Sequence, residues 1–312
     1  ETAGGTYTVA AEQAGQTIAA LVRDLVAGTS WSKARDLVRD GRVRVDGRTE
    51  TDPARRLQGG ERIELGLGGP PPRREELLVH LDADVAVVRK PAGLLTVPFE
   101  EDDRDTLMSR ARVAVRRLDA VRKAAHNPSL RTVQRLDKET SGLVVFARTI
   151  QAQRDLQQQF TEHSVLRLYL AIVHGQAEGG IHETTLIPDR GDGIRGSWGV
   201  FRPGRGTPPP EARQAITHVT VEERLRGATL VSCRLETGRT HQIRIHLAEA
   251  GNPLAGEMVY IRDWSGPLLP APRLMLHAAE LGFVHPRTGK EIRFREPLPD
   301  DFADFLGKLR RS

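Results

Sequence analysis

The residue whose neighbours most strongly indicate chemistry is Asp137. It lies in Val133–Leu143, which reads VQRLDKETSGL, so an arginine precedes it and a Thr-Ser-Gly turn follows it. An ionised carboxylate in such a turn can act as a nucleophile or as a proton acceptor. On its own, Arg-Leu-Asp more often marks a helix cap or a surface ion pair. The function of Asp137 therefore depends on which other side chains reach it.

Two later strings contain the best candidates for such partners. Leu166–Gly175 reads LRLYLAIVHG, and its alternation predicts a strand that places Arg167 and Tyr169 on one face. A tyrosine in this setting is usually a half-buried packing residue. Glu236–Leu247 reads ETGRTHQIRIHL and supplies Arg244, whose guanidinium would favour the charged form of a neighbouring carboxylate.

The two histidines of the last string do not predict a metal site. His241 and His246 are five residues apart, so they do not stack on one face of a helix. No carboxylate lies at ligand spacing beside them, and the single cysteine, Cys233, cannot build a thiolate cage. The spacing alone therefore predicts a structural role for this pair and no bound metal.

Together, these strings resemble the active-site motifs of the RluA family of pseudouridine synthases. The family motifs read HRLDxxTSGL, KxYxAxVxG and TGRxHQ(I/L)RxH, with Gln134 here in place of the histidine and Arg167 in place of the lysine. Further matches follow in family order across residues 80–302: Arg89–Leu95, Asn252–Tyr260 with Glu257 in place of the usual aspartate, and Leu276–Pro299.

The resemblance implies a role for each matching residue. Asp137, Tyr169 and Arg244 would be catalytic, with Arg244 paired to Asp137 and Tyr169 lying against the target base. Four residues would bind the substrate: Arg135, Thr140, His241 and Ile243. In the family, the arginine that matches Arg135 can occupy the space left by the extruded uridine, and the residue that matches Ile243 packs beneath the base.

The implied reaction explains why so few residues are needed. Turning uridine into pseudouridine breaks the N-glycosidic bond, turns the base in place and re-forms a bond through carbon 5. Because this involves no redox change and no metal, no cofactor is expected. The carboxylate either traps the base or sugar covalently or takes a proton to form a glycal, and the sequence does not distinguish these routes. A paired uridine must also leave its stack before it can react.

The N-terminal part resembles a second family, the S4 RNA-binding domain. Ser32–Val45 reads SKARDLVRDGRVRV, with Asp46-Gly47 and Gly59–Ile63 following in the order typical of that domain. The resemblance implies binding to structured RNA through a basic helix face. That face carries Lys33, Arg35, Arg39 and Arg42. From charge alone, the alternative is a helix face that is merely solvated.

Glycine and proline divide the chain. Gly66–Glu76 reads GLGGPPPRREE, which cannot form a helix or a central strand and therefore predicts a linker. We expect an S4-like domain in residues 1–66, the linker in 67–76 and a pseudouridine synthase catalytic domain in 77–312. A second stretch, Pro188–Glu211, is dense in Gly, Pro and Arg and predicts a surface insertion.

Apolar patterning predicts the α+β fold class. We expect a catalytic domain with a mixed, mainly antiparallel sheet and flanking helices, plus a small αα-β domain built on a helix around Ile18–Val26 and a second one capped by Ser30 or Ser32. In the larger domain the expected strands are Val85–Val88, Gly142–Ala147, Leu166–Val173, Ile216–Val221 and Ala228–Leu235, and the expected helices are Thr149–Glu162 and Thr240–Ala250.

Composition is compatible with an RNA partner but does not require one. The 312 residues carry a net charge of +5 and a pI of about 9.7. Within Arg104–Arg135, nine basic residues stand against two acidic ones (9 − 2 = +7), so we expect Arg112 and Arg116 to contact RNA. No apolar stretch is long enough to cross a bilayer and the N-terminus has no secretory pattern, so we expect a cytoplasmic monomer that binds no membrane.

Three alternatives stay open beside the leading interpretation, which is a synthase acting on large-subunit ribosomal RNA. The first is a synthase directed at tRNA, which shares the core motifs. The second is a non-catalytic RNA-binding or ribosome-assembly factor built on the same scaffold. The third is a carboxylate-based glycosidase, which would need a second catalytic carboxylate near Asp137.

Overall fold

The computed structural model describes residues 5–26, 28–39, 43–50, 52–65, 77–100, 103–121, 129–200 and 206–311. Contacts between residues divide the chain into two compact units, 1–76 and 77–312. The segment expected to be a linker, residues 67–76, lies outside the described residues.

The small unit packs two helices on a four-stranded antiparallel sheet of order β1-β4-β2-β3. Its elements are β1 (Gly5–Thr8), α1 (Ile18–Leu25), α2 (Trp31–Arg39), β2 (Val43–Val45), β3 (Arg48–Glu50) and β4 (Arg62–Leu65). Thr17 and Ser30 cap the helices, because their hydroxyl oxygens accept the N–H groups of Ala20 and Lys33. The expected αα-β arrangement is confirmed.

The large unit is built on an eleven-stranded mixed sheet. Along its main path the strand order is β11-β10-β12-β13-β9-β14-β8-β6-β5, with β15 paired to β14 and β7 paired to β8. The strands are β5 (Leu78–Leu81), β6 (Val85–Lys90), β7 (Arg131–Thr132), β8 (Ser141–Ala147), β9 (Leu166–His174), β10 (Gly180–Ile187), β11 (Gly196–Ser197), β12 (Arg213–Leu225), β13 (Ala228–Leu235), β14 (Leu276–Val284) and β15 (Glu291–Arg295).

Four helices accompany this sheet: α3 (Leu107–Val121), α4 (Ile150–Thr161), α5 (Gln242–Glu249) and α6 (Asp300–Arg311). Every named strand pair in the described residues is antiparallel except β14 with β8. The α+β class with a mixed, mainly antiparallel sheet is therefore confirmed. No described helix has both the length and the apolar character needed to cross a membrane.

The parallel junction between β8 and β14 lies inside the sheet, with further strands on both sides. Residues Ser141 and Gly142 pair there with His277 and Ala278, and the Ser141 hydroxyl is 3.0 Å from Nδ1 of His277. Gly142 has φ +119°, and a Cβ placed on it would come within 2.2 Å of the Ala278 carbonyl oxygen. Only glycine therefore allows the two strands to approach this closely.

Replacing Gly142 by alanine should destabilise the large unit by about 3 kcal/mol or more, because backbone overlap adds to the strain of a left-handed φ. The matched control is Gly289→Ala, which also has a positive φ (+66°) but meets no atom within 4 Å. We expect the control to lose only about 1 kcal/mol. Urea-unfolding midpoints of the two variants provide the comparison, and equal shifts would contradict the packing argument.

Candidate active site

Four segments of the large unit enclose a pocket of about 620 Å³. They are the turn before β8, the C-terminal end of α4, the start of β9, and the stretch from the end of β13 into α5, and Leu276 of β14 completes the lining. All seven residues that the sequence assigns to catalysis or substrate binding line this pocket: Arg135, Asp137, Thr140, Tyr169, His241, Ile243 and Arg244. The fold thus brings together side chains that lie more than 100 positions apart.

Asp137 lies half-buried in the turn between β7 and β8, and hydrogen bonds fix the backbone on both sides of it. The Thr96 hydroxyl donates to the Leu136 carbonyl at 2.9 Å, and its oxygen accepts the Leu136 N–H at 3.1 Å. Beyond the carboxylate, the Thr140 N–H donates to the Asp137 carbonyl at 3.1 Å. Among the described residues that line the pocket, Asp137 is the only carboxylate.

Behind the same turn lies Lys90, whose side chain is almost fully buried at the end of β6. Its ammonium donates to three carbonyl oxygens: Pro91 at 3.0 Å, Leu94 at 2.6 Å and Lys138 at 2.7 Å. Burial lowers the pKa of Lys90 to about 7, although the charges of Glu139 and Asp137 oppose the change. Three acceptors match the three N–H donors of the protonated form. Lys90 therefore anchors the catalytic turn from inside, a role that its motif string did not reveal.

Tyr169 and Ile243 form an apolar wall of the pocket that Asp137 lines. Both side chains are buried, and Leu136, Leu235 and Leu276 extend the wall. Burial raises the pKa of Tyr169 to about 12; the charge of Arg167 opposes this rise and the charge of Asp137 adds to it. The tyrosine therefore keeps its proton at neutral pH and presents a ring and a hydroxyl to the pocket.

The ion-pair partner of Arg244 is not the one expected from the motifs. Its Nε and Nη2 donate to the two carboxylate oxygens of Glu257 at 2.8 and 2.7 Å, and no hydrogen bond or ion pair among the described residues joins it to Asp137. The expected direct pairing with Asp137 is therefore wrong. The physical reason is the buried carboxylate of Glu257, which needs a cation and offers both oxygens in bidentate geometry.

Asp137 nevertheless acts on this pair through space. Burial lowers the pKa of Arg244, but the hydrogen bonds and charge of Glu257, and then the charge of Asp137, raise it above its usual value. The Glu257 carboxylate also accepts the backbone N–H groups of Met258 and Val259 at 3.0 and 2.9 Å. The guanidinium is thus held rigidly at the pocket wall, with Asp137 as a second negative charge nearby.

The two histidines of the third motif have different surroundings. His241 lines the pocket, and its Nδ1 lies 2.8 Å from the Tyr260 hydroxyl. His246 is buried between the hydroxyls of Thr217 and Thr184, each 2.9 Å away. Burial lowers the pKa of both rings, to about 4 for His246, so both are neutral at pH 7. His246 is structural, whereas His241 is placed to contact a substrate.

Gln134 and Arg167, two of the departures from the family motifs, also lie on the pocket wall. Gln134 Nε2 and Arg167 Nε are buried and have no hydrogen-bond partner among the described residues. The Arg167 guanidinium lies 5.3 Å from the ring centre of Phe160, on α4. This side of the pocket therefore carries amide and guanidinium donors where the family has an imidazole and an ammonium.

The expected RNA-binding side chains of the small unit are described in part. Lys33 and Arg35 are exposed on α2. The side chain of Arg39 and the whole of Arg42 lie outside the described residues. Sequence reasoning missed Trp31, which is 47% exposed at the start of α2 and has the Arg23 guanidinium 4.6 Å from its ring centre. An exposed aromatic ring among cations is typical of surfaces that stack unpaired bases.

The arginine-rich segment of the large unit forms α3, which the sequence analysis did not predict. Leu107, Ala111 and Val115 form its buried face, and Arg112 and Arg116 are exposed. The Arg112 guanidinium donates to the Leu130 carbonyl at 3.3 Å. Three charged side chains of the segment are used internally, because Arg110 pairs with Asp105 and Asp119 pairs with Arg148.

One group of described side chains has the composition of a metal site: Asp82, Asp84 and His285. Nδ1 of His285 accepts the N–H groups of Arg287 and Thr288, so Nε2 carries the proton and donates to Asp82 at 3.0 Å. Asp84 is engaged by the Arg287 guanidinium. These hydrogen bonds use the potential ligand atoms, and none of the three residues lines the pocket.

Comparison with known proteins identifies the family. The profile described as RNA pseudouridylate synthase matches residues 84–249, which include most of the pocket wall, and the S4 domain profile matches residues 19–63. The chain belongs to the RNA pseudouridylate synthase family. It is therefore an RNA-modifying isomerase, as its motifs predicted.

Relatives from several bacteria resemble this synthase over most of their length. A ribosomal large subunit pseudouridine synthase D of Neisseria meningitidis serogroup A is 34% identical over 97% of this chain and 81% of its own. The synthase D of Xanthomonas campestris is 33% identical over 96% and 90%. An uncharacterized RNA pseudouridine synthase of Bacillus subtilis is 34% identical over 90% and 91%.

Solved structures share the fold. Human RNA pseudouridylate synthase domain containing 4 aligns with a TM-score of 0.60 and 22% identity, covering 75% of this chain and 92% of its own. Human RNA pseudouridylate synthase domain containing 1 aligns with a TM-score of 0.57 and 24% identity, covering 74% and 87%.

Replacing Lys90 by methionine should lower kcat/KM by about 100-fold, because three buried carbonyls lose their donor and the turn that carries Asp137 loosens. Lys138→Met is the control, since Lys138 is exposed and also neighbours Asp137. We expect the control to stay within about threefold of wild type. Hydrogen exchange of residues 136–140 should accelerate only in Lys90→Met. Unchanged exchange in that variant would contradict the anchoring role.

Replacing Glu257 by glutamine should destabilise the synthase by about 3–5 kcal/mol, because the buried Arg244 charge then lacks its counter-ion. Asp301→Asn is the matched control: it also removes a carboxylate paired with an arginine, Arg273, but its side chain is 45% exposed. We expect the control to lose less than about 1 kcal/mol. Thermal unfolding compares the two, and equal losses would show that the Arg244–Glu257 pair is not a structural requirement.

Proposed function

We propose that this synthase isomerises a specific uridine of large-subunit ribosomal RNA to pseudouridine, with Asp137 as the catalytic carboxylate. The observation that carries the proposal is the position of Asp137, the sole carboxylate among the described pocket-lining residues, in one pocket with Tyr169 and Arg244, on both of which its charge acts. The RNA target follows from relatives whose names specify the large ribosomal subunit. A tRNA target is the second candidate.

In this proposal the uridine leaves its stack and enters the pocket edge-on between Asp137 and the apolar wall. Tyr169 and Ile243 contact the base, while the exposed Arg135 fills the vacated space in the RNA. Unstacking costs a few kcal/mol, which contacts to the RNA backbone must offset. Asp137 then either attacks the base or sugar or removes a proton to form a glycal. Either way the base can rotate in place and re-bond through carbon 5.

The remaining residues of the proposal position these groups. Thr140 holds the Asp137 turn by its backbone, and His241 offers a neutral imidazole to the substrate. The charge of Arg244 is largely balanced by Glu257. The guanidinium therefore places a positive charge near the Asp137 carboxylate without forming an ion pair with it. No step in this scheme requires a metal or a cofactor.

Residues 1–66 are proposed to bind structured RNA as an S4-like domain, and residues 77–312 to form the catalytic domain, with residues 67–76 as the linker. The proposed contacts with the RNA phosphate backbone are Lys33 and Arg35 on α2, and Arg112 and Arg116 on α3. We further propose a cytoplasmic monomer. A glycosidase is disfavoured because the described pocket lining supplies no second carboxylate, and the joint presence of Asp137, Tyr169 and Arg244 at one pocket disfavours a non-catalytic factor.

Replacing Asp137 by alanine should abolish turnover, with a loss of at least about 10⁴-fold as expected for removal of a catalytic nucleophile or base. Pseudouridines are mapped across all cellular RNA from a wild-type strain and a strain carrying Asp137→Ala. We expect one or more sites in large-subunit ribosomal RNA to disappear. The control is Glu139→Gln, which removes an exposed neighbouring carboxylate and should leave every site modified.

Other outcomes of the same experiment decide between the candidates. Sites lost from tRNA alone would replace the ribosomal target with the second candidate. If no site disappears and the purified wild-type enzyme forms no pseudouridine in an unmodified large-subunit transcript, the proposed reaction is wrong.

A further inference from the structure

A second cleft, of about 220 Å³, adjoins the active-site pocket. The two share Gly238 and Arg239 in their walls, so only this short piece of chain separates them. No residue that the sequence motifs assign to catalysis or substrate binding lines the second cleft. Its walls come mainly from the end of β10, from the stretch between β10 and β12, and from the segment that precedes α5, with Ile245 of the helix itself.

The strand register explains why two arginines face this cleft. Leu186 on β10 pairs with Ser197 on β11 and with Arg213 on β12, so these three side chains share one face of the sheet. Arg195 lies immediately before β11 and lines the same cleft. Because β11 and β12 both pair with β10, Arg195 and Arg213 approach the cleft from the two sides of the end of β10.

The floor between these arginines is apolar and the rim is cationic. Leu186, Ile187 and Ile245 are buried beneath the cleft. Arg195, Arg213 and Arg239 contribute three positive charges to its lining, whereas Glu211 contributes one negative charge. An apolar floor with a positive rim suits a sugar-phosphate chain, whose riboses can pack while its phosphates meet the guanidinium groups.

Several exposed arginines of the large unit have acidic partners, unlike Arg195 and Arg213. Examples of the paired kind are Arg110–Asp105, Arg224–Glu178, Arg262–Asp192, Arg287–Asp84 and Arg310–Glu223. In the described part of the chain, neither Arg195 nor Arg213 has a carboxylate within the 4.0 Å of an ion pair. The Arg213 guanidinium bonds only to the Pro210 and Ala212 carbonyls, through Nη1.

The cleft is also electrostatically continuous with the active site. The positive charge of Arg195 acts on the side chains of His241 and Tyr260, which form a hydrogen-bonded pair at the pocket wall. An RNA strand bound in the cleft could therefore continue past Gly238 into the active-site pocket. Because Gly238 has no side chain, it leaves space for Arg167 Nη1, which would lie 2.4 Å from a Cβ at that position.

We propose that this cleft binds the phosphodiester backbone of the nucleotides next to the extruded uridine, with Arg195 and Arg213 as its phosphate ligands. This inference rests on the proposed function, since it assigns the cleft to the same RNA. It also gives a role to Arg195, which lies between β10 and β11 and extends the RNA path beyond the pocket.

The test compares three double variants of the full-length enzyme in binding to an unmodified transcript of large-subunit ribosomal RNA. Arg195→Ala with Arg213→Ala removes both ligands, and Arg195→Lys with Arg213→Lys keeps the charges. Arg224→Ala with Arg310→Ala is the matched control, because it removes two exposed arginines that line neither cavity. Arg239 is left intact because its Nε donates to the Gln214 carbonyl at 3.0 Å.

The measured quantities are the dissociation constant and its dependence on salt. Each phosphate contact contributes about 0.7–0.9 to the slope of log affinity against log salt concentration. The double alanine variant should therefore lose about 1.5 from the magnitude of the slope and bind about tenfold or more weakly at 0.15 M salt. The double lysine variant should keep most of the slope, and the control should match wild type.

If the double alanine variant matches the control in both slope and affinity, the cleft does not bind RNA and the inference is wrong. A loss of slope in the lysine variant as well would also overturn it, because charge would then not be the cause. Binding needs no turnover, so the result is separate from the proposed function. That function fails independently if wild-type enzyme forms no pseudouridine in the same transcript.

Discussion

The position of one carboxylate depends on how the turn between β7 and β8 is held. Lys90 reaches this turn from the interior and bonds the Lys138 carbonyl, while Thr96 bonds both backbone groups of Leu136. On the far side the chain enters β8, an interior strand that pairs with β6 and β14. Each of these contacts is made to a backbone group of the turn, so the turn is fixed without using the Asp137 side chain. The carboxylate is left available to a substrate.

The electrostatics of the pocket depend on which buried charged groups pair with one another. Arg244 is neutralised by Glu257 inside the protein, so the pocket gains a rigid guanidinium without a freely mobile cation. The groups near Asp137 are therefore the Arg244–Glu257 ion pair and a neutral tyrosine, because burial keeps the Tyr169 phenol protonated. Such a site can stabilise an ionised oxygen while excluding competing proton donors of low pKa. The arrangement is compatible with both chemical routes open to the carboxylate.

Motifs predicted the pocket better than they predicted its contacts. The three strings identified seven residues that line one cavity, because their order and spacing are characteristic of a family. They could not predict that Arg244 binds Glu257, since the choice between two carboxylates depends on side-chain geometry in the folded state. The helix α3 was missed because its dense arginines obscured the apolar repeat of Leu107, Ala111 and Val115. The arginine cleft was missed because the pairing of β10 with both β11 and β12, not sequence proximity, brings Arg195 and Arg213 to one cleft.

The parallel pairing of β8 with β14 has a consequence for biosynthesis. It joins Ser141 to His277, which are separated by 136 positions, and Leu276 of the same strand lines the pocket. Contacts this distant in sequence form slowly and only after the intervening chain has been translated. A ribosome-bound nascent chain that ends before β14 therefore has the Asp137 segment but no finished cavity. Catalytic competence arrives late in synthesis, when most of the polypeptide has already left the ribosome.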